Sequence, residues 1–292
     1  MDFDDYQEKC LRTDQQSAKK QGESGLMIPL LGLAGETGTL LAEFKKKFRD
    51  KQTYEGFEVR AEEELGDVLW YLSNIASRLS LSLSKIATKN LVKTQERWPI
   101  DRDERKHRVF DGEYPDSEQL PQAAKIRVFE DAKAGVARLQ LLPDQCLLGD
   151  KLTDNAYVYD GYRFHDVMHL AHWAVLGWSP VMRKMLGRKR RSNATVDEVE
   201  DGARAMVIEE LLVAFVYTNA TQFRLYDGVE HLDSEMLATI KRLVAHLEVH
   251  ERLAADWERA IKQGYAAFRH LKDKKDAVLS IDMKRRELKV VS

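Results

Sequence analysis

Cysteine is nearly absent from this chain: Cys10 and Cys146 are the two among 292 residues, which excludes a disulfide framework and fits no metal-ligand spacing. Proline and glycine are scarce too, at 6 and 16 positions, too few for a fibrous or disordered chain. An excess of either charge is missing as well. Forty-six Lys and Arg against 48 Asp and Glu leave a formal net charge of −2, so no global basic field draws in nucleic acid or a membrane surface. No unbroken apolar run approaches the ~18 residues of a membrane span. The acidic start, Met1-Asp2-Phe3-Asp4-Asp5, is unlike a signal peptide. These absences point to a soluble cytoplasmic protein. What is present is 43% hydrophobic and 32% charged residues, enough to build a sizeable core, and a length that predicts two domains at about 150 residues each.

The first of these, residues 1–99, reads as helical throughout. From Leu30, the apolar positions Leu33, Leu40, Leu41, Phe44 and Phe48 recur at helical steps. A polar loop over 50–55 is followed by a second period over 59–79, carried by Leu65, Val68, Leu69, Leu72 and Ile75. A break at Ser80-Leu81-Ser82 precedes a further helix with Ser84 as its expected N-cap and Ile86, Leu91 and Val92 as its apolar positions. Residues 100–122, charged and bracketed by Pro99, Pro115 and Pro121, have the composition of a linker. The second domain, 123–292, opens with strands over 125–130 and 136–142 joined by a Lys133-Ala134-Gly135 turn. This hairpin is expected to be the only sheet. Helices are expected over 162–175, 199–226 and 234–271, with a basic segment over 183–191 that reads as a solvated loop. The fold class is therefore mainly α, with a short β-hairpin.

Chemistry enters with the acids. Glu64 and Asp67 lie three apart, on one helix face about one turn apart, and Gly66 between them removes bulk beside that face. Glu36 and Glu43 share a face of the preceding helix, two turns apart. Carboxylates set into apolar stripes on two antiparallel helices repel unless a hard cation neutralises them, and Mg²⁺ is the usual occupant of oxygen-only sites.

The ordered segments Gly32-Leu33-Ala34-Gly35-Glu36-Thr37-Gly38, Glu63-Glu64-Leu65-Gly66-Asp67-Val68-Leu69-Trp70-Tyr71-Leu72, Asn90-Leu91-Val92-Lys93 and Arg97-Trp98-Pro99 resemble the MazG-like all-α nucleoside triphosphate pyrophosphohydrolases over residues 1–99. The resemblance implies a helical bundle, a homo-oligomer (dimer or tetramer), and Mg²⁺-dependent cleavage of NTP or dNTP between the α- and β-phosphates. It implies metal ligands Glu36, Glu64 and Asp67, and phosphate or nucleotide contacts from Asn90, Lys93 and Arg97. Glu63 or Glu43 would accept the proton of the attacking water. The family's remaining ligand position falls at Thr39, leaving the set one carboxylate short, with Glu43 one turn away as a replacement. A nucleotide-binding sensor that no longer turns over is the alternative. The stretches 152–155, 178–180, 189–191 and 200–205 are similar to the C-terminal domain that accompanies some MazG-like proteins.

In that second domain His165, His169 and His172, at i, i+4 and i+7, share a helix face, with Asp166 among them and Glu209-Glu210 set in a later apolar run. Such a set either chelates a transition metal or forms a buried network that holds helices in register, for instance His169 with Glu209 or Glu210. The network is the first reading.

Overall fold

The structure, a computed structural model, describes residues 1–15, 23–98, 108–131 and 134–291. Pro99, Lys133 and the charged run 101–106 lie outside the described residues. The chain divides into two compact units, Met1–Gln95 and Glu96–Ser292.

The first unit is built from α1 (Phe3–Thr13), α2 (Glu23–Asp50), α3 (Phe57–Arg78) and most of α4 (Leu83–Arg97). Asp2 caps α1 by accepting from the Asp5 N–H. Gln7 ties α1 to the 80–82 break, since its amide bonds Ser77 Oγ and the Leu81 carbonyl at 2.9 Å and accepts from the Leu83 N–H at 2.8 Å. The start of α4 corrects one expectation. Ser82, not Ser84, supplies the capping oxygen, to the Lys85 N–H at 3.2 Å.

α2 and α3 pack antiparallel. Phe44 meets Phe57 edge-on at 4.9 Å, and the backbone of Gly32 lies so close to Tyr71 that a Cβ would fall 2.2 Å from its ring. Only glycine permits that approach, which sets the helix spacing one turn from Glu36. The core of this unit is small: among the described residues its buried apolar side chains are Cys10, Pro29, Phe57, Ala61, Ala76 and Leu83. Leu41, Phe48, Leu65 and Leu91, members of the apolar periods, lie more than half exposed instead, as does Leu31.

Gly25–Thr53 is, by length and composition alone, long and apolar enough to cross a membrane. Its apolar run is not unbroken, because Gly, Thr and Glu36 are interspersed among its leucines. Against a bilayer role stands Glu36 at mid-helix, a charge that is costly in hydrocarbon.

The second unit holds the main core. Among the described residues its sheet has five antiparallel strands rather than a lone hairpin: β1 (Ala123–Asp131), β2 (Val136–Leu142), β3 (Cys146–Leu152), β4 (Asp276–Asp282) and β5 (Glu287–Val290), in the order β3-β2-β1-β4-β5. β4 does alternate, burying Ala277, Leu279 and Ile281, so its signal was present in the chain. β3 carries no such pattern, because as an edge strand it buries Leu148 alone. The end-to-end pairing of β1 with β4, Lys125 opposite Ser280, joins segments about 150 residues apart and has no local signature.

The helices of this unit are shorter and more broken than periodicity suggests. Residues 162–176 form a 3₁₀ turn, the helix α5 (Asp166–Ala171) and a π-helical turn His172–Leu176, closed by Gly177 at φ 64°. The Ser179-Pro180 pair then starts α6 (Pro180–Met185), with Ser179 as N-cap. α7 (Ala194–Val199) is separated from α8 (Ala203–Gln222) at Gly202, where a Cβ would fall 1.8 Å from the Glu198 carbonyl. The expected helix over 234–271 is instead α9 (Ser234–Leu243), a 3₁₀ turn Glu248–Glu251 and α10 (Ala254–Lys274). The break lets Arg252 turn inward, where it bonds the carbonyls of Leu176 and Arg108 at 2.7 Å. Asp256 receives the Leu253 N–H and restarts the helix.

Two segments, one read as a linker and one as a solvated loop, each send side chains into the core. In the 108–122 stretch, Phe110, Asp111 and Leu120 are all at most 5% exposed. From the basic run, Arg183 and Arg190 sit at 1% and 0% exposure. Arg183 bonds Asp111 at 2.6 Å, while Arg190 bonds Asp201 and Glu248, each at 2.7 Å. A buried guanidinium needs such partners, and the planar fork of Arg190 is filled on both edges.

Candidate functional site

The antiparallel register of α2 against α3 brings Glu36, Glu64 and Asp67 together, with one carboxylate oxygen from each within 4.8 Å of the others. Glu64 is the central member. Its Oε2 is covered and has no hydrogen-bond partner. Burial, then the charges of Glu36, Asp67, Glu63 and Glu43, push its carboxyl above the usual glutamate range. An orphaned anionic oxygen among like charges fits a hard dication, and an oxygen-only donor set fits Mg²⁺. Beside the triad the surface is open: a Cβ at Gly35, Gly38 or Gly66 would meet nothing within 4 Å.

Other residues of the expected site stand elsewhere. Glu43 is buried and already engaged, accepting from the Tyr54 hydroxyl and pairing with Lys46 at 2.6 Å. It therefore does not complete the cluster as a fourth ligand, and its carboxylate is not free to serve as a base. The signal that misled is the shared face with Glu36; no local pattern announced Tyr54. Thr39 is exposed, and its hydroxyl donates back to the Gly35 carbonyl at 3.2 Å. Glu63 is exposed on α3. Asn90 and Lys93, one turn apart on α4, are exposed, and their side chains make no hydrogen bond or ion pair among the described residues. Arg97 belongs to the second unit, where it bonds the Leu232 carbonyl and lies 3.5 Å from Glu258. Those partners take it out of the expected phosphate-binding set.

The histidine face of the second unit folds onto α8. Glu209, fully buried, accepts from His172 Nδ1 at 2.9 Å and from Ser179 Oγ and the Val181 N–H at 3.0 Å. His169, also fully buried, places Nδ1 3.0 Å from the same carboxylate and Nε2 3.5 Å from Glu210. Burial alone would lower the His169 pKa, but the Glu209, Glu210 and Asp166 charges outweigh it and hold it well above the ordinary histidine range. Burial likewise raises Glu209, yet the two imidazoles bring it down to about 2. Histidine and glutamate do meet here as the network reading expected. Asp166, at the first turn of α5, is drawn in as well, 3.4 Å from His165 Nε2.

The Gene 37 protein of Mycobacterium phage L5 is 40% identical over 75 residues, covering 25% of this chain and 66%, just under two thirds, of the phage protein. No solved structure matches this chain. A family model described as the MazG C-terminal domain matches residues 105–292, the whole of the sheet and of α5 to α10. The chain belongs to the MazG C-terminal domain family.

Proposed function

We propose that the chain is a Mg²⁺-dependent nucleoside triphosphate pyrophosphohydrolase, cleaving between the α- and β-phosphates to yield a monophosphate and pyrophosphate. The observation that carries this reading is the unpartnered Glu64 Oε2 at the centre of a three-carboxylate cluster drawn from two helices. Membership in a MazG-type family supports it. Bound Mg²⁺ would neutralise the triphosphate and lower the pKa of a coordinated water. Glu36, Glu64 and Asp67 would hold the ion, and Glu63, solvent-facing beside Glu64, would accept the proton of the attacking water. Lys93 offsets charge on the departing pyrophosphate, while the glycine-lined surface at 35, 38 and 66 admits the substrate.

The same reading includes a homo-oligomer. A unit with so few buried side chains, and with Leu31, Leu41, Phe48 and Leu65 exposed, needs further apolar burial to be stable. Light scattering on the purified chain is expected to give a dimer or larger; a monomer at micromolar concentration would reject this part.

The second reading, a nucleotide sensor, is favoured by one observation: Thr39 leaves the cluster with three carboxylates and turns its hydroxyl onto its own helix. A pyrophosphate-release screen over all common NTPs and dNTPs, with and without Mg²⁺, separates the two. The enzyme reading expects Mg²⁺-dependent release from at least one nucleotide and a change of less than about tenfold (about 1.4 kcal/mol) in Thr39→Glu. Absence of release from the unmodified chain, with a large gain in Thr39→Glu, would establish the sensor instead.

A further inference from the structure

A second cluster, distinct in chemistry from the acidic triad, lies where α5 meets α8. We propose that His165, Asp166, His169 and Glu210 form a binding site for a first-row transition-metal dication such as Zn²⁺ or Mn²⁺.

The distances carry the argument. His165 Nε2 stands 3.4 Å from Asp166 Oδ1 and 3.8 Å from Glu210 Oε2, and His169 Nε2 stands 3.5 Å from Glu210 Oε1. These separations are too long for good hydrogen bonds. They match what a shared ion imposes: bonds of about 2.1 Å to a four-coordinate metal put its ligand atoms roughly 3.4 Å apart. His165, Asp166 and His169 each offer a ligand atom within 4.8 Å of the others.

A second observation is independent of that spacing. His169 is completely buried, yet neither of its ring nitrogens makes an aligned hydrogen bond. A buried imidazole left in this state is costly if the cluster serves only to lock helices together.

The outer nitrogens are arranged as metal-binding histidines require. His165 Nδ1 is 2.9 Å from the Tyr162 carbonyl, which fixes the proton there and leaves the Nε2 lone pair for a cation. The ring is held in place by Tyr162, stacked on it at 4.5 Å and 8°. His169 Nδ1 lies 3.0 Å from Glu209, a carboxylate itself anchored by Ser179 and Val181, so a small rotation of the ring onto an ion would complete a carboxylate–histidine–metal triad. Two imidazoles select a transition metal over Mg²⁺, and two carboxylates balance a dication. The Glu210 side chain, 47% exposed, opens the site to solvent. The π-helical turn that follows α5 is a feature frequent at functional sites.

The test uses the full chain carrying Glu64→Gln and Asp67→Asn, so that the first cluster does not contribute. After chelator treatment the protein is titrated with Zn²⁺ by calorimetry and with Mn²⁺ by the loss of its free-ion resonance signal. One equivalent of tight binding is expected with at least one of the two metals. His165→Ala, at a buried ring, and Glu210→Gln, at a half-exposed side chain, are each expected to weaken it by about 100-fold or more, and Glu210→Gln is expected to leave the thermal midpoint of the metal-free chain near its parent's. Absence of binding by either metal, or binding that His165→Ala and Glu210→Gln leave unchanged, would overturn the proposal and return the cluster to a purely structural network. Neither result depends on whether the chain hydrolyses nucleotides.

Discussion

Glu64→Gln is expected to lower Mg²⁺-dependent pyrophosphate release by about 100–1000-fold while raising the melting temperature of the metal-free chain. Both effects have one cause. The Glu64 carboxylate sits among Glu36, Asp67, Glu63 and Glu43, and burial first, then their repulsion, raises its pKa. A glutamine keeps the shape, removes one of the converging charges and relieves that repulsion, but it no longer offers the anionic oxygen a dication needs. A structural glutamate would behave in the opposite way, its loss lowering stability and sparing activity. Calorimetric melting in chelator, set beside a pyrophosphate assay in Mg²⁺, measures both quantities. A fall in melting temperature with activity retained would remove the triad from the mechanism.

Asp201→Ala is expected to destabilise the second unit by about 3–5 kcal/mol, the usual cost of leaving a buried charge without its partner. Asp201 is fully buried and receives the Arg190 backbone N–H at 2.7 Å, Arg190 Nε at 3.1 Å and Arg190 Nη2 at 2.7 Å; Arg183 Nε lies 3.6 Å away. Its removal leaves Arg190 with Glu248 and Arg183 with Asp111, so two buried guanidinium groups have one carboxylate fewer between them. Denaturant titration followed by tryptophan fluorescence is the appropriate measurement, because Trp173, Trp178 and Trp257 all lie in this core. A shift below about 1 kcal/mol would mean that water reaches the network and solvates the freed arginines.

The buried arginines illustrate how a local reading can mislead. A run of cations between two apolar segments is, on composition, a solvated loop. Asp111, Asp201 and Glu248, which neutralise Arg183 and Arg190, come from three separate stretches of chain. Glu43 shows the reverse. Its helical spacing from Glu36 was correct, but Tyr54 and Lys46 captured its carboxylate before the cluster could.

The chain by itself determined the helices of the first unit, the first hairpin, the pairing of Glu64 with Asp67 on one face and the alignment of three histidines on another. Each of these is a matter of period or capping within about a dozen residues, and a helix's 3.6-residue repeat makes such placements readable in one dimension. Tertiary structure alone decided which carboxylates meet across α2 and α3, that β4 and β5 extend the sheet beside β1, and that Glu209 and Glu210 face the histidines. Those choices rest on packing between segments far apart in sequence, where the close approach at Gly32 or the burial of Arg252 outweighs any local preference.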